Sequence, residues 1–242
     1  MQRVDSPEIL DSDVCSPAEA EAVLRILGRV NRWFGGVATT QRMIERVAGI
    51  ARSTRLSMLE VAAGSGELSE LVQRNAARRG LTLDVTLLDM APSHLPAKHS
   101  NGTGSGSSNR GVVGDALSLP FGDDAFDVVS CNLFAHHLIP EKLQLFFREA
   151  ERVSRRAVLI NDLVRHPLHL ALAYAGYPIM LNRVAWLDGL TSVRRAYLPG
   201  EMKEILGSAF PTGIRVEISR NYLFRMGVIF WKNGGPGIDG ND

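Results

Sequence analysis

The chain has 242 residues, 45% apolar, 22% charged and 7% aromatic, with 27 basic against 26 acidic side chains and a formal net charge of +1. That length and apolar content suit a single large α/β domain and exclude a wholly disordered chain. The balanced charge excludes a global drive toward nucleic acid or an anionic membrane. Cys15 and Cys131 are too few for a disulfide framework or a thiolate metal site, and no metal is expected.

Residues 1–16 (MQRVDSPEILDSDVCS) are polar, lack the apolar stretch of a secretory signal and are expected to be flexible. Residues 17–52 carry a helical period, with Ser16 placed to cap and Pro17 in the first turn, and form a helical cap. A short apolar run, Ser57–Ala62, ends in a glycine-rich turn, and a helical stretch follows to about Arg79. Leu83–Leu88 reads as a strand ending at Asp89, and Val112–Val113 as a short strand before Gly114 and Asp115. Between them, residues 98–110 (KHSNGTGSGSSNR) have the composition of a flexible inserted loop. Phe126–Asn132 is a buried strand, Glu141–Val153 an amphipathic helix and Ala157–Ile160 the next strand. This alternation predicts a Rossmann-like, doubly wound sheet, mostly parallel, with helices on both faces and a cofactor-binding core over residues 57–160.

The remainder differs. Residues 163–209 are too apolar for a free loop and are expected to cover a substrate; their longest apolar run, Leu168–Leu181, contains Pro178 and is too short to span a bilayer. Gly213–Ser219 and Leu223–Trp231 suggest an antiparallel hairpin over 213–231, which closes a single domain of residues 17–232. The tail, 233–242 (NGGPGIDGND), is expected to be disordered. A soluble, cytoplasmic protein is the expectation, as monomer or homodimer.

The sharpest local feature is LEVAAGSGEL, Leu59–Leu68. Gly64 and Gly66 let the backbone turn tightly and approach a ligand. A nicotinamide site requires a third glycine, where this chain has Ser69, and a carboxylate such as Glu60 is unwelcome beside a pyrophosphate. A ligand with a cationic amino-acid end suits Glu60. EVAAGSG resembles motif I of the class I S-adenosylmethionine-dependent methyltransferases, with Ala62 where that family has its first glycine. The resemblance extends in order through Asp89 in TLLDMAP, through GDALSLPF at Gly114–Phe121, and through FDVV with the following Ser130–His137. Together with NRWFGG at residues 31–36, these motifs look like the small-molecule subgroup, methyltransferase type 11, related to enzymes of quinone biosynthesis.

The resemblance implies S-adenosylmethionine as cofactor, S-adenosylhomocysteine as product and a seven-stranded sheet. It places Glu60, Ala62, Gly64, Gly66 and Asn132 at the cofactor, Asp89 on the ribose hydroxyls, Asp115 on the adenine amino group, and Met90 and Ala116 beside the ring. A carboxylate accepts both hydroxyls of a vicinal diol, which is why an acid suits position 89. Turn capping competes for Asp89 and Asp115.

An oxygen acceptor must lose its proton, and His136 or His137, after the fourth strand, suits that work near neutral pH. At the carboxyl end of the fifth strand, Asn161, Asp162, Arg165 and His166 are candidates to touch substrate, with capping of the next helix as the competing role. Tyr174 and Tyr177 are candidate lid residues, with core packing as the competing role. Seven arginines between residues 25 and 55 against the single acid Glu45 suit either an anionic partner or a solvated face. The resulting expectation is methyl transfer to a small apolar acceptor, most readily a hydroxyl of an aromatic or polyketide-like molecule. C-methylation and a non-catalytic cofactor-binding module are the alternatives, and nucleic acid is not an expected partner.

Overall fold

Seven strands form one sheet in the order β3-β2-β1-β4-β5-β7-β6. The computed structural model describes residues 1–9, 17–95, 109–177 and 182–232. Ser16, Cys15, most of the 98–110 segment and the tail from residue 233 lie outside the described residues. In chain order the elements are α1 (Pro17–Trp33), α2 (Gly36–Ala51), β1 (Arg55–Val61), α3 (Glu67–Arg78), β2 (Thr82–Asp89), β3 (Arg110–Val113), β4 (Phe126–Asn132), α4 (Pro140–Val153) and β5 (Ser154–Leu163). They continue with α5 (Pro167–Ala175), α6 (Arg183–Arg195), α7 (Pro199–Ala209), β6 (Arg215–Asn221) and β7 (Arg225–Trp231). β1 to β5 pair in parallel, and β7 runs antiparallel between β5 and β6.

Both faces of the sheet are covered, so the central strands present apolar side chains to both sides in their middle stretches. Side chains still alternate between two cores. Leu59 and Val61 of β1, with Val129 and Cys131 of β4, pack against Leu143, Phe146 and Phe147 of α4. Leu56 and Met58 face the other way, onto Ile44 and Val47 of α2 and Val72 of α3.

The helical stretch 17–52 is two helices, because the chain reverses at Phe34-Gly35. Gly35 adopts φ 78°, a left-handed conformation that glycine takes without steric cost. A side chain on Gly36 would lie 2.6 Å from Asn31 Oδ1. The insertion is helical throughout its described part, and Asn182 caps α6 by accepting from Ala185 N–H at 2.9 Å. α5 has no buried residue although its sequence, PLHLALAYA, is mostly apolar. Among the described residues, no helix is long and apolar enough to cross a membrane.

Residues 1–9, expected to be flexible, lie against the body. Arg3 Nε donates to the Arg195 carbonyl at 2.8 Å, and its guanidinium sits 4.4 Å from the Tyr197 ring. Ile9 N–H donates to Asp188 at 2.7 Å. The partners lie more than a hundred residues away, beyond the reach of any local pattern. The arginine-rich stretch is largely a solvated, ion-paired face: Arg32 meets Glu67, Arg46 meets Glu217 and Arg55 meets Asp84.

Candidate active site

The carboxyl ends of β1, β2, β4 and β5 and the start of antiparallel β7 share one edge of the sheet. Parallel α/β sheets bind ligands at that edge, where strand order reverses. Two sites meet there.

The first surrounds the turn after β1. Ala62, Gly64 and Gly66 all have positive φ, at 53°, 54° and 73°. A side chain on Gly66 would meet Leu87 Cδ1 at 2.5 Å, so this glycine is required both by conformation and by the close approach of β2. Ala62 holds a left-handed conformation despite its Cβ, a strain of about 1–2 kcal/mol. Asp89 closes the turn: its Oδ2 accepts from Gly64 N–H at 2.9 Å and its Oδ1 from Ala91 N–H at 3.0 Å. Burial alone raises the pKa of Asp89, but the nearby His94 and these two amides outweigh it and hold the group below its ordinary value. His94, which was not expected here, lies 3.4 Å from Asp89 Oδ1.

Glu60 is 3% exposed and its pKa is pushed up to about 7 by burial, against the opposing hydrogen bond from Asn132 Nδ2 at 2.6 Å. Its Oε2 has no hydrogen-bond partner among the described residues. A buried carboxylate oxygen without a donor is costly, and a cationic group would satisfy it. Asn132 orients Glu60 and accepts from Thr40 Oγ1 at 2.7 Å. Met90 is 68% exposed and Ala116 is buried, which leaves an apolar face beside the turn. Asp115 is exposed and its Oδ1 accepts from Leu117 N–H at 2.8 Å, the turn-shaping role that competed in the sequence.

The second site is an apolar cavity of about 220 Å³ lined by residues that include Ile26, Phe34, Leu133, Leu163, Leu172 and Phe224. His136, His137, Glu8 and Arg225 bring its polar groups. Three lining residues, Leu133, Leu223 and Phe224, hold positive φ at 52°, 49° and 61°. Such strain persists only where surrounding structure enforces it, and it gathers at functional sites. His136 is 1% exposed, with Nδ1 2.7 Å from Asp162 Oδ1 and Nε2 3.3 Å from Glu8 Oε1. Burial lowers its pKa, yet Asp162 and Glu8 together raise it to about 9. It is therefore an imidazolium near neutral pH. His137 is less enclosed, with Nε2 3.7 Å from Glu8 Oε2.

Residues 59–160 match the family described as methyltransferase domain. This stretch resembles a methyltransferase domain and makes up less than half of the chain. Its boundaries enclose the turn, Asp89 and both histidines, while Glu8, α1 with Phe34, and residues between 163 and 225 build the other cavity walls. No curated protein matches the chain. Among solved structures, the plantazolicin methyltransferase in complex with SAH is 11% identical, with TM-score 0.64 over 90% of this chain and 95% of that one. Human N-acetylserotonin methyltransferase, in complex with SAM, is 16% identical, with TM-score 0.61 over 88% of this chain. The chain spans 56% of that protein's length. Magnesium protoporphyrin IX methyltransferase from Synechocystis, with bound SAH, is 14% identical, with TM-score 0.54 over 93% of this chain and 91% of that one. These likenesses establish the fold.

The six expected substrate residues take other places. Asn161 is fully buried and donates to the Gly36 carbonyl at 2.8 Å and to Thr40 Oγ1 at 2.9 Å, tying α2 to β5. Asp162 reaches the cavity only through His136. Arg165 is buried behind it, on Glu201 and the Ala196 carbonyl. His166 caps α5, accepting from Leu168 N–H at 3.1 Å. Tyr174 and Tyr177 pack edge-on against Trp186, and Tyr174 Oη accepts from Arg194 at 2.6 Å. A polar group next to a strand end proves to be structural in each of the first four, because buried backbone and carboxylates there need partners.

Glu8, His169, Ser192 and Arg225 are polar cavity residues that sequence reasoning missed. For Arg225 a signal existed, a lone arginine opening the otherwise apolar run RMGVIFW. Its guanidinium donates to the Phe34 carbonyl, Asn161 Oδ1 and Asn31 Oδ1, locking the α1–α2 reversal onto the sheet. Glu8 sits in a stretch with no periodicity and offered none.

Proposed function

We propose that the protein transfers a methyl group from S-adenosylmethionine to a hydroxyl of a small, largely apolar acceptor of aromatic or polyketide-like type. The observation that carries this reading is a buried, half-satisfied carboxylate at Glu60 on the same sheet edge as an apolar cavity whose polar lining includes His136 and His137. The turn residues fit the cofactor. Glu60 Oε2 lacks a donor that an ammonium supplies, the glycine turn leaves room for close backbone approach, and exposed Met90 offers an apolar surface to a base. Asp89, held ionised, accepts the ribose hydroxyls in exchange for part of its present hydrogen bonding. When bound, the cofactor supplies an electrophilic methyl on a sulfonium.

What the chain must do is orient an acceptor in line with that methyl and take its proton, since proximity and orientation carry much of such a reaction. The cavity's apolar walls exclude water and hold a ring. His137 takes the hydroxyl proton at Nε2, and the Glu8 carboxylate stabilises the imidazolium that forms. His136, already protonated, does not serve as base while Glu8 and Asp162 hold it; it fixes the turn that carries His137. An ionised phenol also reacts at carbon, so ring C-methylation is the alternative outcome in the same cavity.

Incubation with labelled methyl donor and a panel of phenols, quinols and fatty acids tests this. Labelled ether products are expected, and His137→Gln is expected to reduce turnover while leaving cofactor binding intact. Full turnover in that variant would remove His137 as the base. Labelled ester or C-methyl products alone would overturn the hydroxyl assignment.

A further inference from the structure

We propose that Glu8, His136 and His137 form a binding site for a first-row divalent cation, of which Zn²⁺ is the first to test, with an open position toward the acceptor cavity. The three side chains each offer one ligand atom, and these atoms lie within 4.8 Å of one another. Glu8 Oε1 is 3.3 Å from His136 Nε2, and Glu8 Oε2 is 3.7 Å from His137 Nε2. Ligands about 2.1 Å from a tetrahedral zinc ion stand about 3.4 Å apart, so the two carboxylate–imidazole pairs already stand near ligand spacing. Two imidazoles and one carboxylate are also the donor set of three-ligand catalytic zinc sites, in which the fourth position is left to water or substrate.

The surroundings match this reading independently of the distances. A metal-ligating histidine almost always donates its other ring N–H to a carboxylate, which fixes its tautomer and direction. His136 does so through Nδ1, to Asp162 Oδ1 at 2.7 Å, and the second oxygen of Asp162 accepts from the His136 backbone N–H at 3.0 Å. The short helical turn Ala135–His137 carrying both histidines is held from outside by two arginines. Arg3 donates to the His136 carbonyl at 3.1 Å and Arg195 to the His137 carbonyl at 2.6 Å. Ser192 Oγ donates to Glu8 Oε1 at 2.6 Å and steadies the carboxylate. With neutral imidazoles, Glu8 and Asp162 place two negative charges in a buried site, which a dication balances. A ligand position opening on the cavity suits an oxygen anion such as a phenolate; with an ion bound, His137 Nε2 is a ligand and not the base, and the ion would instead favour loss of the hydroxyl proton, so the site rests on the acceptor reading for its purpose and replaces only the base within it. It does not rest on that reading for its existence.

The Glu8–His136–Asp162 contacts are equally those of a metal-free ion-paired chain, and titration separates the two. Full-length protein stripped with chelator is titrated with Zn²⁺ by calorimetry and with Co²⁺ by visible absorption. One ion per chain is expected, with ligand-field bands from Co²⁺. Glu8→Gln and His137→Gln are each expected to weaken binding on the order of tenfold or more, and Asp162→Asn about 10–100-fold. His94→Gln, which alters the other histidine–carboxylate contact, is expected to leave it unchanged. Absence of binding at millimolar metal overturns the proposal, as does binding that Glu8→Gln and His137→Gln leave intact. S-adenosylmethionine calorimetry on the same stripped protein keeps the two readings apart, since cofactor binding survives a failure of the metal site.

Discussion

The turn after β1 and the acceptor cavity share one edge of the sheet but are built in opposite ways. The cofactor side takes its shape from backbone. Three alternate residues with positive φ, Ala62, Gly64 and Gly66, a few amides and two acids at strand ends do the work, all within about thirty residues of sequence. The cavity is assembled from side chains contributed by the N-terminal strap, α1, β4, β5, α5, α6 and the β6–β7 hairpin. Its decisive contacts cross 184 residues from Glu8 to Ser192 and 194 from Asn31 to Arg225. A fold can therefore keep one nearly constant cofactor turn while the opposite wall changes with almost any segment of the chain.

Substitutions on the two sides should fail differently. The largest effect is expected on the cavity side. Asp162→Asn takes the ionised partner from His136 Nδ1 and leaves the imidazolium on Glu8 alone, which should lower stability by about 3 kcal/mol, measured by chemical denaturation. The same pair gives a pH signature. Because the folded-state pKa of His136 is raised to about 9, its stabilisation is fully present below about pH 6.5 and is lost as pH rises through 9. Asp162→Asn should flatten that part of the profile; an unchanged slope would remove His136 as its source.

On the cofactor side the protein should stay folded and lose ligand instead. Asp89→Ala removes an ionised acceptor, and S-adenosylmethionine affinity should fall about 10–100-fold by calorimetry. A loss of stability without a specific loss of affinity would mark Asp89 as a turn residue alone.

The third expectation concerns Glu60, whose pKa of about 7 means that the group takes up a proton on folding between about pH 4.5 and 7. A cationic ligand end binds the ionised form, so cofactor affinity should rise up to about tenfold per pH unit below 7 and level off above it. In Glu60→Gln the profile should be flat. The smallest effect has the opposite sign. Ala62→Gly relieves the strained φ of 53° and should stabilise the protein by up to about 1 kcal/mol, with unchanged cofactor binding. A loss would show that the Cβ of Ala62 contributes packing that outweighs its strain.

The same contrast explains what could be read from the chain. The strands were legible as short apolar runs, of which β2 and β4 close on a polar residue at the working edge, and Phe126–Asn132 coincides with β4. Glu60, Gly64, Gly66 and Asp89 were legible because strand end, glycine turn and acid are local features at fixed spacing. Asn161 and Asp162 at the end of β5, and Arg165 and His166 just past it, stood at the correct edge of the sheet but turned toward structural partners. A sequence places a residue at a strand end without saying whether it meets solvent, cavity or the neighbouring helix. Glu8 was illegible, since its role comes from docking of a strap onto α6 and the Ala135–His137 turn, which no local periodicity encodes.

The central claim is that the β1 turn and Asp89 hold S-adenosylmethionine, and calorimetric titration of the full-length protein with S-adenosylmethionine and S-adenosylhomocysteine tests it most directly. Binding of both at one site per chain, lost selectively in Asp89→Ala, is the expected result. Folded protein that gives no binding heat with either ligand at millimolar concentration would contradict it.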